Sequence, residues 1–283
     1  MNSKIKKCGL ISIIGFPNVG KSTLLNRLVN EKISIISSKS QTTKIAVKGV
    51  LNKEECQIIF IDTPGFLKPK SYLDKEMTRS ILHSLEVSDI NLVIIDAKKI
   101  KSFEYINLFN LIKGHKKNVL VINKIDLIKK IKLLDIVKNL NADFEFFSTF
   151  MISALKNKGI NKLLKNIMQN IPKREWEYDK KVRTDQKLDF VLSEITREKI
   201  FQLLNKELPY VVKIETKIKK KNSLYKIYQT IYVKKDSQKP ILIGKNGEKI
   251  KEIGIRARSD MEKKLGQKIY LDILISLDKR NNK

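Results

Sequence analysis

The stretch Gly15-Phe16-Pro17-Asn18-Val19-Gly20-Lys21-Ser22 fits the pattern G-x-x-x-x-G-K-[ST] at every fixed position. An apolar run, Leu10–Gly15, precedes it, and a helical pattern begins at Lys21. A phosphate-binding loop needs that context. The glycines let successive backbone N–H groups turn inward, and the helix start adds its positive end. A lysine in this place reaches the β- and γ-phosphates of a nucleotide, and the serine hydroxyl ligates Mg2+. Lys21 and Ser22 are expected in those roles, with Thr23 closing the motif.

Downstream, Gln57–Asp62, Asn91–Asp96, Asn118–Asn123 and Phe146–Ile152 are short runs rich in Ile, Val or Phe. Near-continuous apolarity marks strands buried on both faces. Alternating with helical patterns, such runs predict an α/β fold, a mostly parallel sheet with helices on both faces. A further helix is expected over Ile160–Asn170, stopping near Pro172.

Asp62-Thr63-Pro64-Gly65 ends the second of these strands, at the sheet edge where open α/β folds bind ligands. Asp62 is placed to hold Mg2+, directly or through water. The Gly65 N–H can meet a γ-phosphate and so sense its loss. Between the first helix and Asp62 lies Ser40-Gln41-Thr42-Thr43-Lys44. A threonine there completes the Mg2+ shell only while the γ-phosphate is present; Thr43 is the expected ligand, with Thr42 the alternative.

Asn123-Lys124-Ile125-Asp126 ends a fourth apolar strand, and Ser153-Ala154-Leu155 follows the last. The Asp126 carboxylate can accept from both N1–H and the 2-amino group of guanine. Adenine lacks that donor pair and would leave a buried charge unpaired, so GTP is preferred to ATP. Ser153, Ala154 and Leu155 complete the base pocket. After Gly65 stands Phe66, where GTPases of the Ras type carry a water-orienting glutamine; phenylalanine cannot do that task. His83 and His115 fall outside every motif and read as surface or packing residues.

Residues 173–187 are charged and lack an apolar period, which suggests a linker between domains 1–172 and 188–283, with Trp176 packing it onto one of them. Beyond it the order changes. Leu188, Val191, Leu192 and Ile195 form a helix face. Tyr210–Ile218 and Tyr225–Val233 alternate on either side of the Lys-rich turn 219–223, two helices flank Gly244–Gly247, and Lys268–Leu277 alternates as a last strand. The α+β order is α-β-β-α-α-β. Within it, Ile243-Gly244-Lys245-Asn246-Gly247 carries G-x-x-G between helices, the turn with which KH domains approach a sugar-phosphate chain while an apolar groove takes about four unpaired bases. Lys249, Ile250, Lys251 and Arg256 lie beside it as further RNA contacts.

The chain carries 58 basic and 30 acidic residues, a net charge of +28. That favours a polyanionic partner and salt-sensitive binding. Yet 50 of the basic residues are lysine, and the charge is spread almost evenly over both halves. An AT-rich coding bias accounts for much of it, so charge does not locate an RNA site. The two cysteines, Cys8 and Cys56, lack metal-ligand spacing and fit a reduced cytoplasmic protein. No run approaches the roughly 18 apolar residues that span a bilayer.

A P-loop GTPase followed by one prokaryotic-type KH domain resembles the bacterial Era family over essentially the whole chain. Gln41-Thr42-Thr43, Arg197-Glu198-Lys199, Glu207-Leu208-Pro209-Tyr210, Gly244–Gly254 and Arg256-Ala257-Arg258 share in it. The resemblance implies GTP hydrolysis to GDP and phosphate, binding to the 3′ end of 16S rRNA and to the precursor of the 30S subunit, and assistance in its maturation. It also implies a cytoplasmic monomer with some peripheral membrane association. In several relatives with a hydrophobic residue at the position of Phe66, an asparagine at that of Asn18 ligates K+, which makes K+ a second expected cofactor beside Mg2+. Two departures stand out: Ser40 replaces a frequent proline, and Asn246 stands where many members have glycine. The tail after Leu277 is short and highly charged, which does not fit an amphipathic anchor. Two other readings compete. A tRNA-modification or cell-division GTPase would lack a terminal KH module, and a passive RNA chaperone would not keep Lys21, Ser22, Asp62 and Asp126.

Overall fold

Every residue of Cys56–Asp62, Ile90–Asp96 and Asn118–Asn123 is buried, and these three strands form the heart of the first sheet. The computed structural model describes residues 5–36, 46–66, 72–99, 102–115, 117–204, 208–221 and 224–278. The chain divides into two units, Met1–Ser34 with Ser40–Asp185, and Ile35–Lys39 with Gln186–Lys283.

In the first unit the order is β1 (Lys7–Gly15), α1 (Lys21–Val29), β2 (Val47–Lys53), β3 (Cys56–Asp62), α2 (Tyr72–Val87), β4 (Ile90–Asp96), α3 (Ser102–Ile112), β5 (Asn118–Asn123), α4 (Lys130–Asp143), β6 (Ser148–Met151) and α5 (Ile160–Asn170). The sheet runs β2-β3-β1-β4-β5-β6. All pairings are parallel except β2 with β3. This is the expected α/β sheet with one addition. The β2 strand, VKGVLNK, was not foreseen: an antiparallel edge strand is exposed along part of its length and carries no continuous apolar run. The last strand is shorter than the expected Phe146–Ile152. A polar ladder crosses the core, from the Ser12 hydroxyl to Asn91 Oδ1 at 2.6 Å, from Asn91 Nδ2 to Asn118 Oδ1 at 3.0 Å, and from Asn118 Nδ2 to the Ile112 carbonyl at 3.0 Å. Each buried amide is thereby satisfied, which pins the register of three parallel strands.

Residues 173–185 are laid against this unit. The Val50 N–H donates to the Arg183 carbonyl (2.7 Å), the Thr184 hydroxyl to Lys48 (2.7 Å), and Gln57 Nε2 to Tyr178 (2.7 Å). Trp176 packs on the cluster of Cys8, Val50 and Ile59 and donates its indole N–H to the Glu55 carbonyl. Both cysteines are free and buried, and burial pushes their thiols up.

The second unit contains α6 (Leu188–Leu203), a helical turn α7 (Leu208–Val211), β7 (Lys213–Lys221), β8 (Leu224–Val233), α8 (Lys239–Ile243), α9 (Glu248–Leu265) and β9 (Ile269–Leu277). In its three-stranded sheet β7 pairs antiparallel and β9 parallel with β8. The order agrees with the expected α+β pattern of a KH domain. The expected strand from Tyr210 begins at Lys213 instead, because Leu208 and Pro209 are buried in α7 and Leu208 joins the local core. At its centre Gln229, buried, accepts from the Thr196 hydroxyl (2.5 Å) and donates to the Leu192 carbonyl (3.1 Å) and Thr216 Oγ1 (2.9 Å). Among the described residues no helix is long and apolar enough to cross a membrane.

Candidate functional site

At the end of β1 the chain turns through Asn18 (φ 64) and Gly20 (φ 102) into α1. A side chain at position 20 would be strained by that φ, and its Cβ would fall 2.3 Å from Asn123 Nδ2. The loop is therefore bound to glycine by two independent demands. Lys21 is buried and donates to the carbonyls of Gly15 (3.1 Å) and Phe16 (2.9 Å), so its ammonium lies over the loop rather than in solvent. Burial draws its pKa down to about 8, with the Asp62 carboxylate pulling the other way. Ser22 Oγ donates to Asp62 Oδ2 at 2.6 Å. Two hard oxygens from α1 and β3 thus stand side by side at the mouth of the loop, the donor chemistry that Mg2+ takes from a protein before water and phosphate fill its shell.

Thr63 fixes the next stretch by donating to the Ile13 carbonyl (2.8 Å), and the Phe66 N–H donates to the Gly15 carbonyl (3.0 Å). Pro64 and Gly65 are buried between them. The Phe66 ring is buried in the apolar cluster beside Ile14 and meets Phe16 edge-on at 5.8 Å; Phe16 in turn meets Tyr105. Ring packing, not contact with water, is its occupation here. Thr43 and Thr42, the expected switch ligands, lie outside the described residues, as does Ser40.

The base-recognition segments are tied to the phosphate loop. Asn123 donates to the Val19 carbonyl (2.8 Å) and accepts from the Ala154 N–H (3.0 Å). Lys124 donates to the Asn18 carbonyl (2.6 Å) and pairs with Asp96 (2.7 Å). Ile125 and Asp126 open a 3-10 turn that leaves the Asp126 carboxylate in solvent, accessible to a base. Ser153 is buried and accepts from the Lys156 N–H, while Leu155 is 69% exposed. Arg27 of α1 reaches the carbonyls of Ala154 and Leu155, both at 3.3 Å. Asp96 and Arg27 escaped sequence reasoning. Neither stands in a motif, and only the fold brings them to the site.

In the second unit, α8 ends at Gly244 (φ 74), followed by Lys245, Asn246 (φ 50) and Gly247 (φ 78), with α9 beginning at Glu248. A Cβ on Gly244 would lie 2.6 Å from Lys249 Cβ. Asn246 occupies the left-handed region that asparagine tolerates best after glycine, which explains how this chain accommodates the departure. Lys245, Asn246 and Lys251 are exposed and Lys249 is half-buried. Ile243, 39% exposed, stands with Ile241 and Ile255 as surface apolar groups. Ile250 packs against the local core, and Arg256 is ion-paired with Glu252 on the helix surface. Arg197, Glu198 and Lys199 are buried, and their charges are met in two pairings. Arg197 grips Glu194 with two nitrogens, and Lys199 bridges Glu198 and Asp260.

Residues 10–124 match the family described as 50S ribosome-binding GTPase, and residues 207–282 match the KH domain family. GTPase Era of Carboxydothermus hydrogenoformans is 39% identical over 275 residues, which cover 96% of this chain and 92% of that protein. GTPase Era of Clostridium kluyveri is 41% identical over 277 residues, 96% and 94% of the two chains. Two solved structures superpose over 96% of this chain and 94% of theirs. One is Era in complex with MgGDPNP and nucleotides 1506–1542 of 16S ribosomal RNA (TM-score 0.89, 38% identity). The other is an alanine variant of Aquifex aeolicus Era bound to GDP and aluminium fluoride (TM-score 0.90, 37% identity). Likeness on that scale extends well past the nucleotide-binding unit and through the second, so the chain belongs to the GTPase Era family.

Proposed function

We propose that the protein hydrolyses GTP as a timed switch, binds the 3′ end of 16S rRNA through the turn 244–247, and assists maturation of the 30S subunit precursor. The observation that carries this is the full-length likeness to Era held with MgGDPNP and a 16S segment, together with a phosphate loop and G-x-x-G turn built as each ligand needs. Residues 1–172 are assigned to the GTPase domain, 173–187 to the connector and 188–283 to the KH domain.

Lys21 neutralises charge on the β- and γ-phosphates, the glycine-turned N–H groups of 15–20 cradle them, and Asp126 reads guanine. Ser22, Asp62 and Thr43 hold Mg2+, which when bound adds positive charge at the phosphate oxygens. The Gly65 N–H meets the γ-phosphate, so the loops at Thr43 and Gly65 relax once it leaves. Phe66 is committed to ring packing, and orientation of the attacking water falls to backbone and solvent groups. For the extra positive charge in the transition state we assign a K+ held by Asn18. Equal single-turnover rates in K+ and Na+ would remove that assignment.

For location, the reading is a cytoplasmic monomer with peripheral attachment to the membrane. The decisive experiment pairs turnover of GTP against ATP with binding of a synthetic RNA spanning nucleotides 1506–1542 of 16S rRNA, in GTP-analogue and GDP states. GTP selectivity with nucleotide-dependent RNA affinity supports the switch. Equal RNA affinity in both states rejects it.

A further inference from the structure

Asp62, fully buried, receives hydroxyl groups from two directions on one oxygen: Ser22 Oγ at 2.6 Å and Ser34 Oγ at 2.7 Å from Oδ2. Ser22 is the motif serine. Ser34 belongs to no motif, yet it is 4% exposed and directed inward. Its position is set by one side chain. Asn26 Oδ1 accepts from the N–H groups of Ile33 (2.8 Å) and Ser34 (2.9 Å), and Asn26 Nδ2 donates to the Ser34 carbonyl (2.8 Å). Asn26 lies four residues after Ser22 on α1, on the same helix face. The helix that supplies Ser22 therefore also clamps the loop that supplies Ser34.

A carboxyl amide is required for this clamp. Aspartate at 26 would face the Ser34 carbonyl with a second acceptor, and leucine would leave two buried N–H groups and one carbonyl unmatched. The clamp acts on backbone alone and would hold the loop equally well with alanine at 34. The serine hydroxyl is thus surplus to the loop's own needs and serves Asp62.

We propose that Ser34, aligned by Asn26, is a positioning residue for the metal site: its hydroxyl fixes the Asp62 carboxylate so that its oxygen stays beside that of Ser22 through the nucleotide cycle. Without it that oxygen loses one of the two hydroxyl donors it shares, and the other is Ser22, the residue whose oxygen must also face the metal. A carboxylate held by one hydroxyl fewer leaves the metal site less pre-organised, and metal retention weakens while the rest of the nucleotide site stands. This rests on the assignment of Ser22 and Asp62 as metal oxygens.

The test measures release of fluorescent N-methylanthraniloyl-GDP from the full chain across a Mg2+ titration and in EDTA, with wild type, Ser34→Ala, Ser34→Cys and Ser34→Thr. The expected result is a Mg2+ midpoint raised about tenfold in Ser34→Ala, on the scale of a lost hydrogen bond to a charged group. Release in EDTA should be unchanged. Ser34→Thr, which keeps the hydroxyl, should restore the wild-type midpoint. Ser34→Cys keeps the volume with a weak donor and should also raise the midpoint, which preserves the test if the alanine variant folds poorly. A midpoint within twofold of wild type in both Ser34→Ala and Ser34→Cys overturns the proposal. So does release accelerated equally in EDTA, since Ser34 would then only staple the loop. Wild-type release that ignores Mg2+ rejects the metal assignment itself.

Discussion

Asn123 donates its side-chain amide to the carbonyl oxygen of Val19 at 2.8 Å, across 104 residues of sequence. The oxygen of the same amide accepts from Ala154, so one buried side chain joins the phosphate loop to both base-recognition segments. Asn123→Ala is expected to weaken GDP and GTP binding about 10- to 100-fold, on the scale of two buried hydrogen bonds lost with their partners left unmatched. Isothermal titration gives the affinity. Faster amide exchange at residues 153–156 is the accompanying sign that the buckle has opened.

The lowered pKa of Lys21 makes nucleotide binding sensitive to alkali. In the free protein this group loses its proton near pH 8, whereas bound phosphates favour the ammonium. Binding above that pH must take up a proton, so affinity should fall towards tenfold per unit as pH rises from 8, and stay flat from 6 to 7.5. Stability moves the opposite way. Between about 8 and the ordinary lysine value the unfolded chain binds more protons than the folded one, so the nucleotide-free protein gains stability from Lys21 with rising pH. Paired titrations of GDP affinity and melting temperature from pH 7 to 10 check both signs.

Replacing Asp126 with asparagine exchanges one of two acceptor oxygens for a donating NH2 group. Guanine then loses its match, and xanthine, with a carbonyl in place of the 2-amino group, gains one. Asp126→Asn should lower GTP affinity by at least about 100-fold and favour xanthosine triphosphate. Competition between the two nucleotides at fixed Mg2+ settles it.

On the RNA side, Gly244 has both a left-handed φ and a Cβ position already taken by Lys249. Gly244→Asp should weaken binding of the 16S segment by tenfold or more and leave RNA-free GTP hydrolysis intact. Lys245→Ala should cost only a few-fold and reduce the salt slope by about one, the signature of one phosphate contact. Filter binding at several salt concentrations distinguishes these two outcomes.

Gln229→Leu removes the hub that joins Leu192, Thr196 and Thr216 in the core of the second unit. A loss of about 2–4 kcal/mol is expected from the polar groups left buried without partners. Trp176, the one tryptophan, belongs to the first unit, so its fluorescence should be unmoved while circular dichroism records earlier loss of the second.

Much of this was readable from local sequence, for physical reasons. Strands such as Ile90–Asp96 are dominated by Ile, Leu and Val because both faces are covered, and the glycines at 20 and 244 answer to backbone angles that are themselves local. What escaped depends on distant partners. The edge strand Val47–Lys53 borrows its pairing from β3, and Leu208–Val211 coils because its side chains find a core. Asn26, Ser34, Arg27 and Asp96 look like ordinary helix, loop and strand-end residues until folding sets Asn26 against Ile33, Ser34 against Asp62, Arg27 against Ala154 and Asp96 against Lys124. Charge misleads in the other direction, since its abundance says little about where RNA binds.

The segment 173–185, laid along β2, also acts as a guard rail. An edge strand offers its backbone groups to any passing chain, and here Val50 and Lys48 are already engaged by Arg183 and Thr184. A fragment cut at Pro172 would strip that cover and bare the apolar seat of Trp176, inviting strand-to-strand self-association. A fragment ending at Asp185 should stay dispersed, so the soluble boundary of the nucleotide-binding half lies fifteen residues beyond Asn170, where its last helix stops.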